Sequence, residues 1–145
     1  MATQDQTKMY KFSMFIKRRP DLTEVEFHEY WTETHAPIVD EWLAKHGVVR
    51  YIQYHLRSDA CNQSEKIWTG LGGENVLDFD GQVELLVPNV ECLQEALDDP
   101  YYKGHVQPDE EKFIDANKSY KTCGWEEKYI HDGCVVREER KQGNY

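Results

Sequence analysis

The chain has 145 residues, with 17 lysines and arginines against 27 aspartates and glutamates, which gives a formal net charge of -10. This length predicts one domain with one core. The acidic surface repels polyanions, so we expect neither nucleic acid nor an anionic membrane as a partner. The polar start of the chain and the lack of a long apolar stretch predict a soluble cytoplasmic protein.

The chain begins with a predicted strand and a predicted helix. Residues 8–17 alternate Tyr, Phe, Met and Ile with mostly polar side chains, which is the period-two pattern of a strand. Thr23 and Glu26 have the spacing of a capping box, in which each residue bonds the backbone of the other. This spacing predicts that a helix begins at Glu24.

A proline interrupts the helical pattern that follows. Pro37 disfavours helical geometry at the residue before it, so we expect the helix to break near His35. A second helical piece is predicted over 38–45, and Gly47 suits its C-terminal cap. The β-branched and aromatic run 48–56 then predicts a second strand.

A polar connection separates the second strand from the third. Residues 57–78 are rich in glycine and polar side chains, with a short helix predicted around 63–68, and such long connections are functional or mobile. A third strand is predicted over 79–87. Asn89 is placed to cap the next helix, which we expect to stop at Asp98.

The last part of the chain is predicted to contain a short helix and a strand. Asp109 opens an acidic run and is expected to cap a solvated helix, and 121–131 is expected to be the last strand. The domain is therefore predicted over 8–131. It is flanked by a disordered N-terminus, 1–7, and a charged C-terminal tail, 132–145.

The predicted order is strand, helix, strand, strand, helix, strand. This is the split βαβ pattern of an α+β, ferredoxin-like domain with a four-stranded antiparallel sheet. Its helices cover one face of the sheet only, so the other face must be wet or covered. Phe15, Tyr51, Gln53 and His55 make a second face rich in large side chains. This favours a homodimer that closes an α+β barrel around a pocket; alternatively, the loop 57–78 covers that face of a monomer.

Two motifs resemble those of the EthD-like branch of the dimeric α+β barrel superfamily, over roughly residues 8–130. The motifs are Phe27-x-x-Tyr30-Trp31-x-x-x-His35-Ala36-Pro37 and Asp109-Glu110-x-x-Phe113-x-Asp115. The resemblance implies a small cofactor-free lyase, a decarboxylase or dehydratase, acting on an aromatic polyketide intermediate in secondary-metabolite biosynthesis. Neighbouring branches leave open an anthrone-type monooxygenase, a polyketide cyclase or a non-catalytic ligand-binding barrel.

Histidines are the natural candidates for the chemistry, because imidazole moves protons near neutral pH. His35 is predicted as general acid or base, since it lies where the family's best-marked histidine is expected; alternatively, it caps the helix and packs under Trp42. The resemblance also places His105 and Tyr102 near the pocket as catalytic candidates. An exposed loop histidine is the competing interpretation of His105.

Five further residues are candidates for substrate binding. If the register of Tyr51 and His55 faces the pocket, the pair offers a phenol and an imidazole; if it faces the helices, both are satisfied core groups. Glu84 is a candidate proton donor or the partner of a basic residue across the sheet. Trp31 and Phe15 are expected to pack against aromatic rings of the substrate.

No cofactor is expected. His28 and His35 are two helical turns apart, roughly 10 Å, which is too far for one metal ion. The chain also lacks a glycine-rich nucleotide-binding motif. The expected partners are therefore a small aromatic substrate and a second copy of the chain.

Overall fold

The computed structural model describes residues 9–72 and 76–136, and the domain is built around one four-stranded antiparallel sheet. The strand order is β2-β3-β1-β4. The central strands β1 and β3 pair from Tyr10 opposite Val87 to Ile16 opposite Gly81. This order is the ferredoxin-like one, so the predicted fold class is confirmed. The strands are β1 (Tyr10–Ile16), β2 (Arg50–His55), β3 (Gly81–Val87) and β4 (Tyr120–Gly124).

Helices pack on one face of this sheet. Phe27, Trp31 and Leu43 from the helical layer form the core with Val83 and Leu85 of β3. A short hairpin follows β4. The helical segments are α1 (Glu24–Tyr30), a first π-turn (Trp31–His35), α2 (Ala36–Lys45), α3 (Ser58–Gln63), α4 (Glu65–Gly70), α5 (Glu91–Asp98), a second π-turn (Tyr102–Val106), α6 (Gln107–Glu110) and a 3₁₀ turn (Ala116–Lys118), and the hairpin strands are β5 (Ile130–His131) and β6 (Cys134–Val135).

The predicted caps fix where the helices begin and end. Thr23 Oγ1 accepts a hydrogen bond from the Glu26 amide at 3.2 Å, and Glu26 Oε2 accepts one from the Thr23 amide at 2.8 Å. Gly47 follows α2 with a φ of 85°, a left-handed conformation that glycine adopts without strain. Asn89 Oδ1 accepts from the Cys92 amide at the start of α5. These local predictions are confirmed.

The predicted break near His35 is wrong, because the helix widens there instead of ending. The Ala36 amide bonds the carbonyl of Trp31, which is the five-residue spacing of a π-turn. Pro37 then occupies the start of α2, where a missing amide hydrogen costs little. The second π-turn repeats the arrangement, since the Gln107 amide bonds the carbonyl of Tyr102 and Pro108 follows.

The two faces of the sheet differ in chemistry. Val83 and Leu85 of β3 face the helices and are buried, whereas their neighbours Gln82, Glu84 and Leu86 face the other way and are partly exposed. That second face, the open face, carries an ion pair of Lys11 with Glu84 at 3.0 Å and another of Arg50 with Glu126, and the Gln82 amide donates to Ser13 Oγ at 2.7 Å. It is therefore a mixed polar and apolar surface.

The predicted domain limits can be compared with the structure in the connection 57–78 and at the start of the predicted tail. The connection 57–78 contains two short helices, α3 and α4, and the predicted helix around 63–68 overlaps α4. The predicted tail begins at 132, yet Asp132 and Gly133 form the positive-φ turn of the β5–β6 hairpin, which continues to Val136. The predicted segments 1–7 and 137–145 lie outside the described residues. No helix in the described part of the chain combines the length and the apolar composition needed to cross a membrane.

Candidate active site

An aspartate and a histidine from two helical segments meet in the interior of the protein. Asp109 Oδ2 lies 2.7 Å from His35 Nδ1, and the two residues are 2% and 5% exposed. A carboxylate accepts, so the contact places a hydrogen on Nδ1 and leaves the lone pair of neutral His35 on Nε2. Burial lowers the pKa of His35, and the hydrogen bond with Asp109 opposes that effect only in part. His35 is therefore neutral at pH 7 and able to accept a proton.

Tyr30, which is half-buried, bonds the same aspartate. Its hydroxyl donates to Asp109 Oδ1, so both carboxylate oxygens are held. Burial and the bond to Asp109 raise the pKa of Tyr30 to about 12, which keeps the hydroxyl protonated as a donor. Lys112 Nζ lies 3.7 Å from the same oxygen and offsets part of its charge. Asp109 is thus a fixed acceptor that orients the His35 ring.

The residue after Asp109 supplies a second titratable group. Burial raises the pKa of Glu110 to about 7, the charge of Lys121 on β4 opposes this, and the charge of Asp109 adds to it. Glu110 also interacts with the hydroxyl of Tyr102, whose own pKa is raised by burial and then by the charge of Glu110. At neutral pH a large fraction of Glu110 is the neutral acid, which is able to give up a proton.

His105 does not join this cluster. It lies exposed on the second π-turn and stacks on the ring of Tyr101, with ring centroids 4.5 Å apart. The competing interpretation of an exposed histidine therefore describes His105. Tyr102, next to Tyr101, stacks instead on Trp42 at 5.8 Å and is partly buried beside Glu110.

Tyr51 and His55 face the helices. The interpretation in which they point into a barrel between the sheets of two subunits is therefore wrong. Tyr51 lies opposite Leu85, and His55 lies opposite Gly81, both on the helix-facing register of β3. Gln53 joins them, because its Nε2 donates to the Tyr51 hydroxyl at 2.9 Å and its Oε1 lies 3.0 Å from His55 Nε2. They form a polar strip inside the helical side of the fold.

Trp31 is enclosed and cannot contact a substrate without repacking, which corrects its predicted role. The ring is 0% exposed and packs on the Cα of Gly81, where an added Cβ would lie 2.4 Å from a ring carbon. Its Nε1 makes no hydrogen bond of normal geometry, and it is the one fully enclosed side-chain nitrogen or oxygen without a partner in residues 9–72 and 76–136. It nevertheless lies close enough to the Tyr51 hydroxyl to act on the pKa of Tyr51.

Glu84 and Phe15 lie on the open face, separated from His35 by the sheet. Successive strand residues point to opposite faces, so Phe15 cannot share a surface with Tyr51 as predicted. Phe15 packs against Phe79, and Glu84 pairs with Lys11, the alternative that the sequence left open. The eight predicted site residues therefore do not line one pocket.

Sequence reasoning missed Asp109, Glu110 and Tyr30 as site residues. Asp109 was interpreted as a cap of a solvated helix, but it lies inside α6 and is buried. The sequence signal is a nearby proline: Asp109 lies one residue after Pro108, and His35 lies two residues before Pro37. Both prolines follow a π-turn, and π-turns are frequent at functional sites.

The chain is thus a ferredoxin-like α+β protein in which two helical segments hold a buried Asp109–His35 pair. The model of the EthD domain matches residues 19–117, more than half of the chain, and the chain belongs to this family. Two fungal relatives are the decarboxylase claH of Passalora fulva, 29% identical over 82% of this chain and 77% of that protein, and the conidial pigment biosynthesis dehydratase EthD of Metarhizium robertsii, 30% identical over 82% and 83%.

Solved structures with this fold are more distant in sequence. An EthD family protein of Bacillus halodurans has a TM-score of 0.55 at 19% identity, over 82% of this chain and 99% of that chain. A protein of Bacteroides fragilis described as dimeric and ferredoxin-like has a TM-score of 0.53 at 11% identity, over 81% and 95%. The cofactor-independent oxygenase SnoaB of Streptomyces nogalater has a TM-score of 0.53 at 12% identity, over 83% and 95%. At these identities the likeness concerns the fold alone.

Proposed function

We propose that this protein is a cofactor-free lyase, a decarboxylase or dehydratase, that acts on an aromatic polyketide intermediate. The observation that carries the proposal is the bond between Asp109 Oδ2 and His35 Nδ1 in a buried layer. Both fungal relatives described above are named for reactions of this class, a decarboxylase and a dehydratase. Both reactions require a proton to be moved at a carbon next to a carbonyl group.

His35 is the base of the proposed reaction. Its Nδ1–H is held by Asp109, and its Nε2 has no hydrogen-bond partner among the described residues. Nε2 is also not fully enclosed. In the same ranges, Trp31 Nε1 is the one side-chain nitrogen or oxygen that is both fully enclosed and unpaired. In a dehydration, Nε2 takes the α-proton of a β-hydroxyketone, and the electron pair of that C–H bond forms the new double bond.

Glu110 is the acid of the proposed reaction. In the dehydration its carboxylic acid protonates the departing hydroxyl, so the C–O bond breaks with loss of water rather than hydroxide. In a decarboxylation the C–C bond electrons stay on the ring or enolate carbon after carbon dioxide leaves, and a proton from Glu110 quenches that carbon. Burial favours the neutral form of both groups, which is the deprotonated base for His35 and the protonated acid for Glu110, and this gives them opposite roles.

The test of the reaction class is product analysis with purified protein. Aromatic β-hydroxyketones and ortho-hydroxy or β-keto acids would be incubated with the protein, while carbon dioxide, dissolved oxygen and product mass are followed. Loss of 18 or 44 mass units, roughly the masses of water and carbon dioxide, with no oxygen uptake is the expected result. Oxygen consumption would instead assign a monooxygenase, and tight binding without turnover would assign a ligand-binding barrel.

We infer further that the chain forms a homodimer through the open face of its sheet. Ile52, Tyr54 and Tyr120 are 38%, 55% and 64% exposed on this face, beside the ion pairs described above. A structural neighbour with this fold is described as dimeric. Sedimentation at micromolar concentration should give twice the monomer mass, and Ile52→Glu should give the monomer. Ile67→Glu, on the exposed helix α4, is the matched control.

A further inference from the structure

A chain of hydrogen bonds joins α1 to the Tyr51 hydroxyl. His28 Nδ1 lies 2.7 Å from His55 Nδ1, His55 Nε2 lies 3.0 Å from Gln53 Oε1, and Gln53 Nε2 donates to the Tyr51 hydroxyl at 2.9 Å. His28 Nε2 lies 3.0 Å from the carbonyl of Leu56 at the other end. Each contact admits only certain positions of the hydrogens, so the whole chain can be assigned by elimination.

The amide of Gln53 fixes the tautomer of His55. Gln53 Nε2 lies 3.1 Å from the carbonyl oxygen of Trp31, and a carbonyl only accepts, so the nitrogen is assigned to that side. Gln53 Oε1 then faces His55 Nε2, and an oxygen that only accepts requires a hydrogen on Nε2. Neutral His55 consequently has a lone pair on Nδ1.

The carbonyl of Leu56 fixes His28 in the same way. His28 Nε2 must donate to it, so a neutral His28 would also have a lone pair on Nδ1. Two lone pairs cannot face each other at 2.7 Å, and one more hydrogen must lie between the two Nδ1 atoms. The pair of His28 and His55 therefore holds three hydrogens and one positive charge.

The surroundings of the two rings indicate which of them accepts the shared hydrogen. Burial and the charge of His28 lower the pKa of His55, so His55 is the neutral acceptor. On the α1 side, hydrogen bonds from the Ser58 amide and hydroxyl lower the pKa of Glu24 first, and the charge of His28 adds a smaller effect. The neighbouring Thr32 hydroxyl lies 3.4 Å from His55 Nε2 and carries no charge.

The direction of these hydrogen bonds leaves the hydrogen of the Tyr51 hydroxyl without an acceptor. The hydroxyl oxygen accepts from Gln53 Nε2, and no acceptor for its own hydrogen is found among the described residues. Burial and the charges of Asp40 and Glu110 raise the pKa of Tyr51, which keeps it protonated. Because Glu110 acts on it, Tyr51 lies on the side of the sheet that carries the proposed acid.

We propose that His28 is a positioning residue: the proton that it shares with His55 holds Gln53 in one orientation, and Gln53 in turn aims the Tyr51 hydroxyl at the carbonyl oxygen of the substrate. The role in turnover rests on the proposed lyase function, but the shared proton does not. When the pair loses that proton, one of the contacts among His28, Leu56, His55 and Gln53 must break. Tyr51 then loses its fixed direction and stabilises the enolate oxygen less well.

The shared proton is tested on the unliganded wild-type protein by NMR of ¹⁵N-labelled histidine. At the pH used for turnover we expect a hydrogen on each Nε2 and a third hydrogen between the two Nδ1 atoms. Only two ring hydrogens on the pair would overturn the assignment. This outcome is independent of any substrate, so it does not depend on the proposed reaction.

The positioning role is tested by a double-mutant cycle on kcat. Tyr51→Phe and His28→Ala should each lower kcat roughly tenfold, the worth of one hydrogen bond, and the double variant should be no slower than Tyr51→Phe alone. His131→Ala, in the exposed hairpin, is the control with unchanged kcat. Additive losses would overturn the positioning role, whereas absence of turnover in the wild type would overturn the proposed function instead.

Discussion

His35 Nδ1 lies 2.7 Å from Asp109 Oδ2, although 74 positions separate the two residues in the chain. Each is placed by a π-turn followed by a proline, His35 as the last residue of Trp31–His35 and Asp109 as the third residue after Tyr102–Val106. The buried His35–Asp109 pair thus lies at two local departures from regular helix.

The first prediction concerns the carboxylate that orients His35. In Asp109→Asn the amide nitrogen can face His35 Nδ1, which favours the tautomer with its hydrogen on Nε2 and removes the base. We expect kcat to fall by about 100-fold or more with little change in fold. Asp98→Asn is the control, because Asp98 is exposed and accepts a hydrogen bond from Gln94 on the same helix. Equal kcat values for the two variants, with matching circular dichroism spectra, would refute this role of Asp109.

The second prediction is the pH dependence of kcat. The base His35 must be neutral, so activity should rise with pH through a value below 6.5, the direction in which burial moves the pKa of His35. The acid Glu110 must be protonated, so activity should fall above about 7. The profile should therefore be bell-shaped and narrow. Glu110→Gln should lower kcat and abolish the alkaline fall, and an alkaline limb unchanged in this variant would exclude Glu110 as the acid.

The third prediction uses the same variant to measure stability. Glu110 has an ordinary pKa of 4.5 when unfolded and a pKa of about 7 when folded. Above pH 4.5 the unfolded state loses this proton first, so the free energy of unfolding falls until about pH 7, by about 3 kcal/mol in total. In Glu110→Gln the free energy of unfolding does not show this fall, because glutamine does not ionise. Urea unfolding at pH 4.5 and pH 8 measures it, and parallel pH dependence of the two proteins would contradict the burial of Glu110.

The fourth prediction concerns the contact that encloses Trp31. An alanine at position 81 would place its Cβ 2.4 Å from the Trp31 ring, which is fully buried and cannot move aside. We expect Gly81→Ala to lower the free energy of unfolding by about 1–3 kcal/mol. Gly124→Ala is the matched strand variant, since nothing lies within 4 Å of its added Cβ. Thermal unfolding that fails to separate the two variants would show that the Trp31 pocket is not tight.

The features that could be predicted from the sequence are those set by residues close together in the chain. The capping box at Thr23 and Glu26 and the glycine after α2 are short-range signals, and the structure confirms them. Strand patterns located β1, β2 and β3, whereas the predicted last strand, 121–131, overlaps β4 (Tyr120–Gly124) only at its start. The patterns did not show which face of each strand meets the helices, so Phe15 and Tyr51 were placed together. That choice depends on packing between elements far apart in the chain.

The site was harder to predict because its partners meet only in the folded chain. Pro37 was interpreted as a helix break, since a proline disfavours helical geometry at the residue before it. In the structure Ala36 keeps helical backbone angles, with φ -54° and ψ -45°, at the end of the π-turn, and the helix continues. Asp109 lies in an acidic run that suggests solvent exposure, and only the fold shows that its carboxylate is enclosed by Tyr30 and His35.

The most direct test of the account is the turnover of an aromatic polyketide substrate by His35→Ala beside His131→Ala. In the proposed reaction His35 Nε2 takes the α-proton of the substrate, whereas His131 lies in the exposed hairpin and has no part in that chemistry. The account predicts a folded His35→Ala protein whose kcat is lower by about 100-fold or more, with His131→Ala unchanged. A folded His35→Ala protein with the kcat of the wild type would contradict it.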